Sequence, residues 1–466
     1  MAIRGLQPSL QQQIGYHIPP RSLGVTILGA YCGVLLVGGG WLARRGRLDS
    51  LAWLVPAATV VVTIVLFGVG AANTSSVPAT IALTELWRVN PNTNETRLDG
   101  LAAYYDQQTR DIVWQSEGGT WVLPDPQPDS EIRRLVWNDG NAFETQNATT
   151  RAGSVGIASL NGHRPLSSRI SAVATFGPAG LEGRLESGGL EGVTDPVLIV
   201  PPTMAGAVTM KPDGSFSSGS DQILPADQYM AESLLNDEQQ RRHGVYRWLF
   251  NPSDNWSFPR QPSFVFWSKR GDDGLKLPTG FEVSGSSIVV VPVTLQRCLP
   301  GAEFQIPPTF LRAEVSAGRA GMSTAFNPRS GQWVTGLTAQ NETVLRFVLP
   351  SEVLPCELVR GELSVRINAP SRDVSIWTGD PKSPISLMQR RNPNGVLTFP
   401  LTAEHLVLDE RNGVKIGIEI GPTEKQRAQA ATEQERMKRA REGQAPLPID
   451  PKADASQQFD NSTWQV

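Results

Sequence analysis

Histidine and cysteine are both scarce in this 466-residue chain, with four of the first and three of the second. His17, His163, His243 and His405 are scattered, so no local zinc motif is written in the sequence. A P-loop, a GxSxG nucleophile elbow and an HExxH helix are missing as well. These absences remove the chemistries that leave a local signature, and no cofactor or metal is implied. A carboxylate pair assembled by folding would leave no such signature. The net charge of −3 also lacks the basic excess of a nucleic-acid binder.

What the chain does have is two long apolar runs near its start. Ser22 to Ala43 (SLGVTILGAYCGVLLVGGGWLA) and Leu51 to Ala72 (LAWLVPAATVVVTIVLFGVGAA) contain no Asp, Glu, Lys or Arg. A helix needs ~20 apolar residues to cross a bilayer core. Backbone polar groups cannot stay unpaired in hydrocarbon, so each run is expected to be a complete helix. The pattern predicts a transmembrane hairpin over 22–72 with the lipid bilayer as its partner. Gly29 and Gly33 form a GxxxG spacing that permits close helix contact, most simply with the second helix of the same hairpin. Gly38, Gly39 and Gly40 fall inside the first run, where a phosphate cradle is implausible.

Arg44, Arg45 and Arg47 crowd the short linker between the runs, whereas Arg4 and Arg21 before the first run are fewer and dispersed. By the positive-inside bias the hairpin tip is cytoplasmic. The N-terminal tail, 1–21, and the large part after the hairpin then lie outside a plasma (inner) membrane. The tail is polar, with no apolar stretch directly after its charges, and does not read as a cleavable signal peptide.

The remainder reads as mainly β. Ile170, Ala172, Ala174 and Phe176 alternate with smaller or polar neighbours, as do Leu363, Val365 and Ile367, which is the period of a half-buried strand. Asn412-Gly413 supplies a positive-φ turn ahead of Val414, Ile416, Ile418 and Ile420. Short strands with recurrent Gly and Pro turns predict two consecutive β-sandwich units, Ig-like or jelly-roll-like, at 79–210 and 280–420. A partly helical connector, 211–279, separates them, with Asp237 as cap of its helix. A charged helix is expected at 421–442, opened by a capping box of Thr423 and Gln426, and a disordered tail at 443–466.

Cys32 lies in the first apolar run, and Cys298 and Cys356 each follow a β-run. An oxidising compartment would let Cys298 and Cys356 form a disulfide, although sequence alone does not show that they meet. Acidic pairs such as Asp125 with Asp129, and Asp272 with Asp273, read as solvated loops rather than calcium ligands. The twelve tryptophans read as core packing.

Several stretches carry a resemblance: IGYHIPPRSL, RRGRLDSLAWLVP, FGPAGLEGRLESGGLEGVTDPVLI, LNDEQQRRHGVYRWL, PSFVFWSKRGDDG and SSIVVVPV. Together they resemble the membrane-anchored C-terminal part of a family of uncharacterised bacterial cell-envelope proteins. The resemblance implies an extra outer domain before the hairpin in longer relatives and brings no catalytic residues with it. The expected function is a non-enzymatic envelope protein whose outer β domains bind or scaffold another envelope or integral-membrane protein. The alternatives are an accessory subunit of a membrane transport machine and, last, a hydrolase with an unrecognised site.

Overall fold

A computed structural model describes residues 5–15, 21–46, 51–75, 77–125, 134–138, 142–146, 148–201, 204–225, 228–230, 234–250, 258–271, 273–328, 331–442 and 463–466. The chain is mainly β, with 46% strand and 23% helix, and two apolar helices lie near its start.

The first helix, α1 (Gln7–Ile14), corrects the reading of 1–21 as a tail. Leu6, Leu10 and Ile14 recur at a spacing of four, form one stripe, and are all buried. They join a core cluster with Ala82, Leu101, Tyr246 and Leu249. Gly5 fits beneath Trp248, where a Cβ would lie 2.0 Å from the indole nitrogen. Gly15, at φ 74°, ends the helix in the left-handed region that favours glycine.

Helices α2 (Arg21–Arg44) and α3 (Leu51–Ser75) are the two apolar runs. Among the described residues none of their side chains joins the three core clusters, and Val37 and Phe67 are each more than three-quarters exposed. The Tyr31 and Thr59 hydroxyls join the pair at 3.0 Å. Gly29 and Gly33 do not make the expected contact, since a Cβ at either would meet nothing within 4 Å. Each glycine is two residues from Tyr31, about 200° around the helix, so the face that meets α3 turns the glycines away. Arg44 closes α2, and the Arg45 guanidinium lies 3.9 Å from the centre of the Trp41 ring. Arg47 lies outside the described residues.

The longer strands of the first sheet are β1 (Thr80–Val89), β2 (Glu95–Tyr105), β3 (Val155–Pro165), β4 (Ile170–Gly177), β5 (Gly180–Ser187), β6 (Thr194–Val200), β7 (Ser263–Lys269) and β8 (Glu282–Leu295). Strand β8 lies at the centre. It runs parallel to β1 from Glu282 to Val290, parallel to β4 at Val293 to Leu295, and antiparallel to β7. This moves the expected boundaries: residues 263–269 leave the connector, and 282–295 leave the second unit. The physical reason is that Ile288 to Val291 is a continuous apolar run, as suits a strand buried on both faces. Side chains of β1 alternate between two clusters, with Ile81, Leu83 and Trp87 in one and Ala82 and Leu86 in the other. Helix α4 (Asp237–Leu249) packs in the second cluster through Val245, Tyr246 and Leu249. Its cap is Asn236, one residue earlier than expected, in a capping box with Gln239.

The second unit contains β9 (Arg312–Gly318), β10 (Asn341–Val348), β11 (Arg360–Asn368), β12 (Arg372–Asp380), β13 (Ser383–Arg391), β14 (Asn394–Thr402) and β15 (Gly413–Thr423). Strands β9, β10, β15, β12 and β13 pair in that order, and β11 pairs with β14. Val365 and Ile367 pack with Val374, Ile376, Ile416 and Ile418 in one cluster. The Asn412-Gly413 turn forms with Asn412 at φ 58°, but the chain before it reaches only a single bridge, Leu408 to Val414. Helix α5 (Glu424–Arg441) opens on the expected capping box, with Thr423 and Gln426 exchanging hydrogen bonds of 3.0 and 3.2 Å.

Residues 443–462 of the expected disordered tail lie outside the described residues. Thr463–Val466 are folded, and Trp464 is buried in the second unit.

Candidate functional site

Period two puts Glu85 on the same side of β1 as Leu83 and Trp87, inside an apolar cluster. Its side chain is fully buried. One carboxyl oxygen accepts from Trp87 Nε1 at 2.8 Å and from Ser287 Oγ at 2.9 Å. Ser287 faces it because Glu85 and Ser287 are register partners across β1 and β8. The other oxygen lies 3.5 Å from Arg270 Nε.

Arg270, just after β7, reaches Asp273 with Nε at 3.0 Å and Nη2 at 2.6 Å. Asp273 is itself buried; its carboxylate accepts the Leu275 N–H at 3.0 Å, and its backbone carbonyl accepts the Thr120 hydroxyl at 2.8 Å. The expectation of a solvated acidic loop is therefore wrong for Asp273, while Asp272 lies outside the described residues. Burial first, and then the hydrogen bond and the negative charge of Asp273, push the Glu85 carboxyl well above its ordinary value. The raised value favours the neutral acid at Glu85, beside the ion pair of Arg270 and Asp273. One cation and one anion remain, a net-neutral arrangement that a buried site tolerates. It joins β1, β8 and the turn after β7.

Two carboxyl groups placed near one another in unlike surroundings are the shape of an acid–base dyad. These residues line neither of the two described cavities. One cavity, ≈ 400 Å³, is a polar cleft between the start of β2 and the end of β1, with Arg88, Asn90, Arg97 and His163 around it. The other, ≈ 260 Å³, lies in the second unit among Phe326, Trp333, Phe347, Leu363, Val365 and Ile418. Val466 lies at its wall. Its walls are mainly apolar, which suits a side chain or an acyl-like group rather than a charged ligand.

Cys298 and Cys356 both carry free thiols and are half-buried. They border the first-unit core at the junction between the units, where the Cys298 N–H reaches the Glu352 carbonyl at 3.3 Å. Burial, and then the field of Cys298, push the Cys356 thiol up. Among the described residues no three His, Cys, Asp or Glu side chains gather as metal ligands. The sequence did carry a signal for Glu85: an acid at the inward position of an apolar strand. Nothing local marked Asp273 or Trp464.

No family model matches the chain, and no curated protein matches it. Among solved structures, a two-domain M1 zinc metallopeptidase variant bound to L-tryptophan aligns at TM-score 0.17 and 10% identity, covering 30% of this chain and 39% of that one. The M1 zinc metallopeptidase from Deinococcus radiodurans aligns at TM-score 0.16 and 9% identity, covering 30% and 38%. The chain therefore spans well under half the length of these structures, and a likeness this slight carries no argument about fold or activity.

Proposed function

We propose that the chain is a non-enzymatic, membrane-anchored envelope protein whose two β-sandwich units, held outside the plasma membrane, bind or scaffold a protein partner. One observation carries this reading: α1, before the hairpin, packs on β1 and β2, after it. Both flanks of the two apolar helices therefore sit on one face, as two spans of a hairpin require. The exposed apolar surface of α2 and α3 supports a lipid surround. Arg44 and Arg45 at the tip, with Arg47 beside them in sequence, support a cytoplasmic tip.

Labelling of a cysteine introduced at Gly46, in a chain lacking Cys32, Cys298 and Cys356, tests the topology. Protection in intact cells and labelling after lysis is expected. Labelling from outside overturns it. A second reading, an accessory subunit of a transport machine, is favoured by the α2 face at Gly29 and Gly33, which is left without a neighbour. Recovery of the chain from mild detergent separates the two readings. Stoichiometric integral-membrane subunits support the machine, and a soluble-domain partner supports the scaffold.

A further inference from the structure

Thr463–Val466 lies in the second unit as an added strand. Trp464 N–H donates to the Leu337 carbonyl at 2.9 Å, and Gln465 exchanges backbone bonds with Asn368 at 2.9 and 2.8 Å. The Trp464 indole N–H donates to the Ala339 carbonyl at 2.8 Å, and its ring is buried. Gln465 points outward, while Val466 turns in to the wall of the ≈ 260 Å³ cavity. Backbone pairing with alternate side chains in pockets is how a sheet edge recognises an extended peptide.

The resident fits this groove incompletely. Val466 borders empty space, and an apolar void leaves its lining without partner atoms. A cavity of roughly 150 Å³ lined by aliphatics is enough to hold benzene. The space beside Val466 is larger, so a phenylalanine, leucine or methionine there would fill more of it. The segment is also joined to Glu442 by the twenty residues 443–462. A resident on the same chain meets the groove intramolecularly, so a weak fit suffices to keep the groove occupied.

We infer that this groove is an exchangeable strand-addition site. Its outside occupant is an extended segment of a partner protein with tryptophan at one position and a larger apolar residue two positions on. The proposal rests on the binding role argued above and names the chemistry of the partner. The tethered segment keeps the groove covered until a better-filling segment displaces it.

The probe is a fluorescent peptide, Asn-Ser-Thr-Trp-Gln-Phe, titrated against the detergent-solubilised full chain. The Trp464→Ala chain is expected to bind it, and the unaltered chain at least about tenfold more weakly, because the resident competes. The same peptide with alanine for tryptophan is expected not to bind. Absence of binding to the Trp464→Ala chain, or equal binding of the two peptides, overturns the proposal. Should Trp464→Ala fail to fold, Val466→Phe in the full chain decides instead. A raised melting temperature is expected, and an unchanged or lowered one overturns the proposal. If both arms fail while a partner is still recovered from membranes, the groove is wrong and the scaffold reading stands. If the peptide binds and no partner is recoverable, the groove stands and the scaffold reading is wrong.

Discussion

The first sheet is sealed on both faces, and the second unit is not. Nearly every residue of β1 is buried, with one core cluster on each side of the strand. In the second unit, β13 is exposed along most of its length, and a cavity remains among the core side chains. Charge is handled differently too. The first sheet carries the Glu85 carboxyl into its core, where burial raises its pKa and favours the neutral acid. The second unit pairs its charges as ions, the buried Arg346 with Asp409 and the exposed Arg319 with Glu342. A full core with a buried polar cluster resists deformation and fixes one arrangement, whereas spare apolar volume beside an added strand leaves room for a ligand. The sealed unit follows directly on the two apolar helices, and the unit with spare apolar volume lies farther along the chain.

The sharpest way to break this contrast is to remove the buried cluster. Glu85→Ala leaves the Trp87 and Ser287 donors unpaired and Arg270 facing Asp273 alone, and is expected to cost about 3–5 kcal/mol. Glu85→Gln copies the protonated carboxyl and is expected to stay within about 1 kcal/mol of the unaltered chain. Because the folded-state pKa of Glu85 is raised above its ordinary value of 4.5, its contribution to stability is complete below that pH. The contribution drains as pH climbs toward the folded value, since the unfolded chain releases a proton that the folded chain retains. Urea unfolding at pH 5 and pH 8 checks both points. The stability of Glu85→Gln relative to the unaltered chain should rise between the two.

A smaller effect is expected at the seal itself. Leu10→Ala removes the central apolar contact of α1 and should cost about 2–4 kcal/mol. Hydrogen exchange should show faster opening at β1, β2 and α4 and little change in the second unit, since α1 packs with β1, β2 and the α4 side chains.

The junction between the units gives a third test, smaller again. Cys298 lies in the linker after β8, and Cys356 in the loop after β10. A bridge formed under a disulfide oxidant should add about 2 kcal/mol, less than loop length alone suggests because native geometry must adjust. Free-thiol titration of the denatured chain should fall from three thiols to one on oxidation, with Cys32 the survivor. Three thiols after oxidation would show that Cys298 and Cys356 do not bond.

How far these regions could be read in advance follows from how local their signals are. The hairpin helices, the alternation in β4 and β11, the Asn412-Gly413 turn and the capping box of α5 are written within a few residues, and each forms. The Leu6, Leu10 and Ile14 stripe is equally local, but only three apolar residues in a short polar segment carry it, so the segment reads as a tail. The place of β8 was not legible at all. Its partners, β1 and β4, are separated from it by more than a hundred residues, and only the three-dimensional pairing brings Ser287 beside Glu85. The same holds for Asp273 and for Trp464. Each reads as a loop or tail residue in sequence, and each is buried by partners far along the chain.

The smallest expected effect belongs to an ion pair of the second unit, and it has the opposite pH sign to Glu85. Asp409 accepts from Arg346 Nε at 2.7 Å and from the N–H groups of Gly413 and Arg411 at 2.9 and 3.0 Å. Burial alone would raise its pKa, but the Arg346 bond and the two turn N–H groups outweigh it and hold the carboxyl down to about 2. Its contribution is therefore present above the ordinary value of 3.8 and is lost as pH falls toward about 2. Asp409 is 19% exposed, so screening is only partial, and Asp409→Asn is expected to cost about 1–2 kcal/mol at neutral pH and much less at pH 2. Titrating stability downward from pH 5 separates the two units. The unaltered chain should lose its advantage over Asp409→Asn through this window, while the difference between Glu85→Gln and the unaltered chain stays near its low-pH limit. If both differences moved together below pH 4, the contrast between a neutral acid favoured inside the first sheet and a carboxylate kept as an ion in the second unit would be wrong.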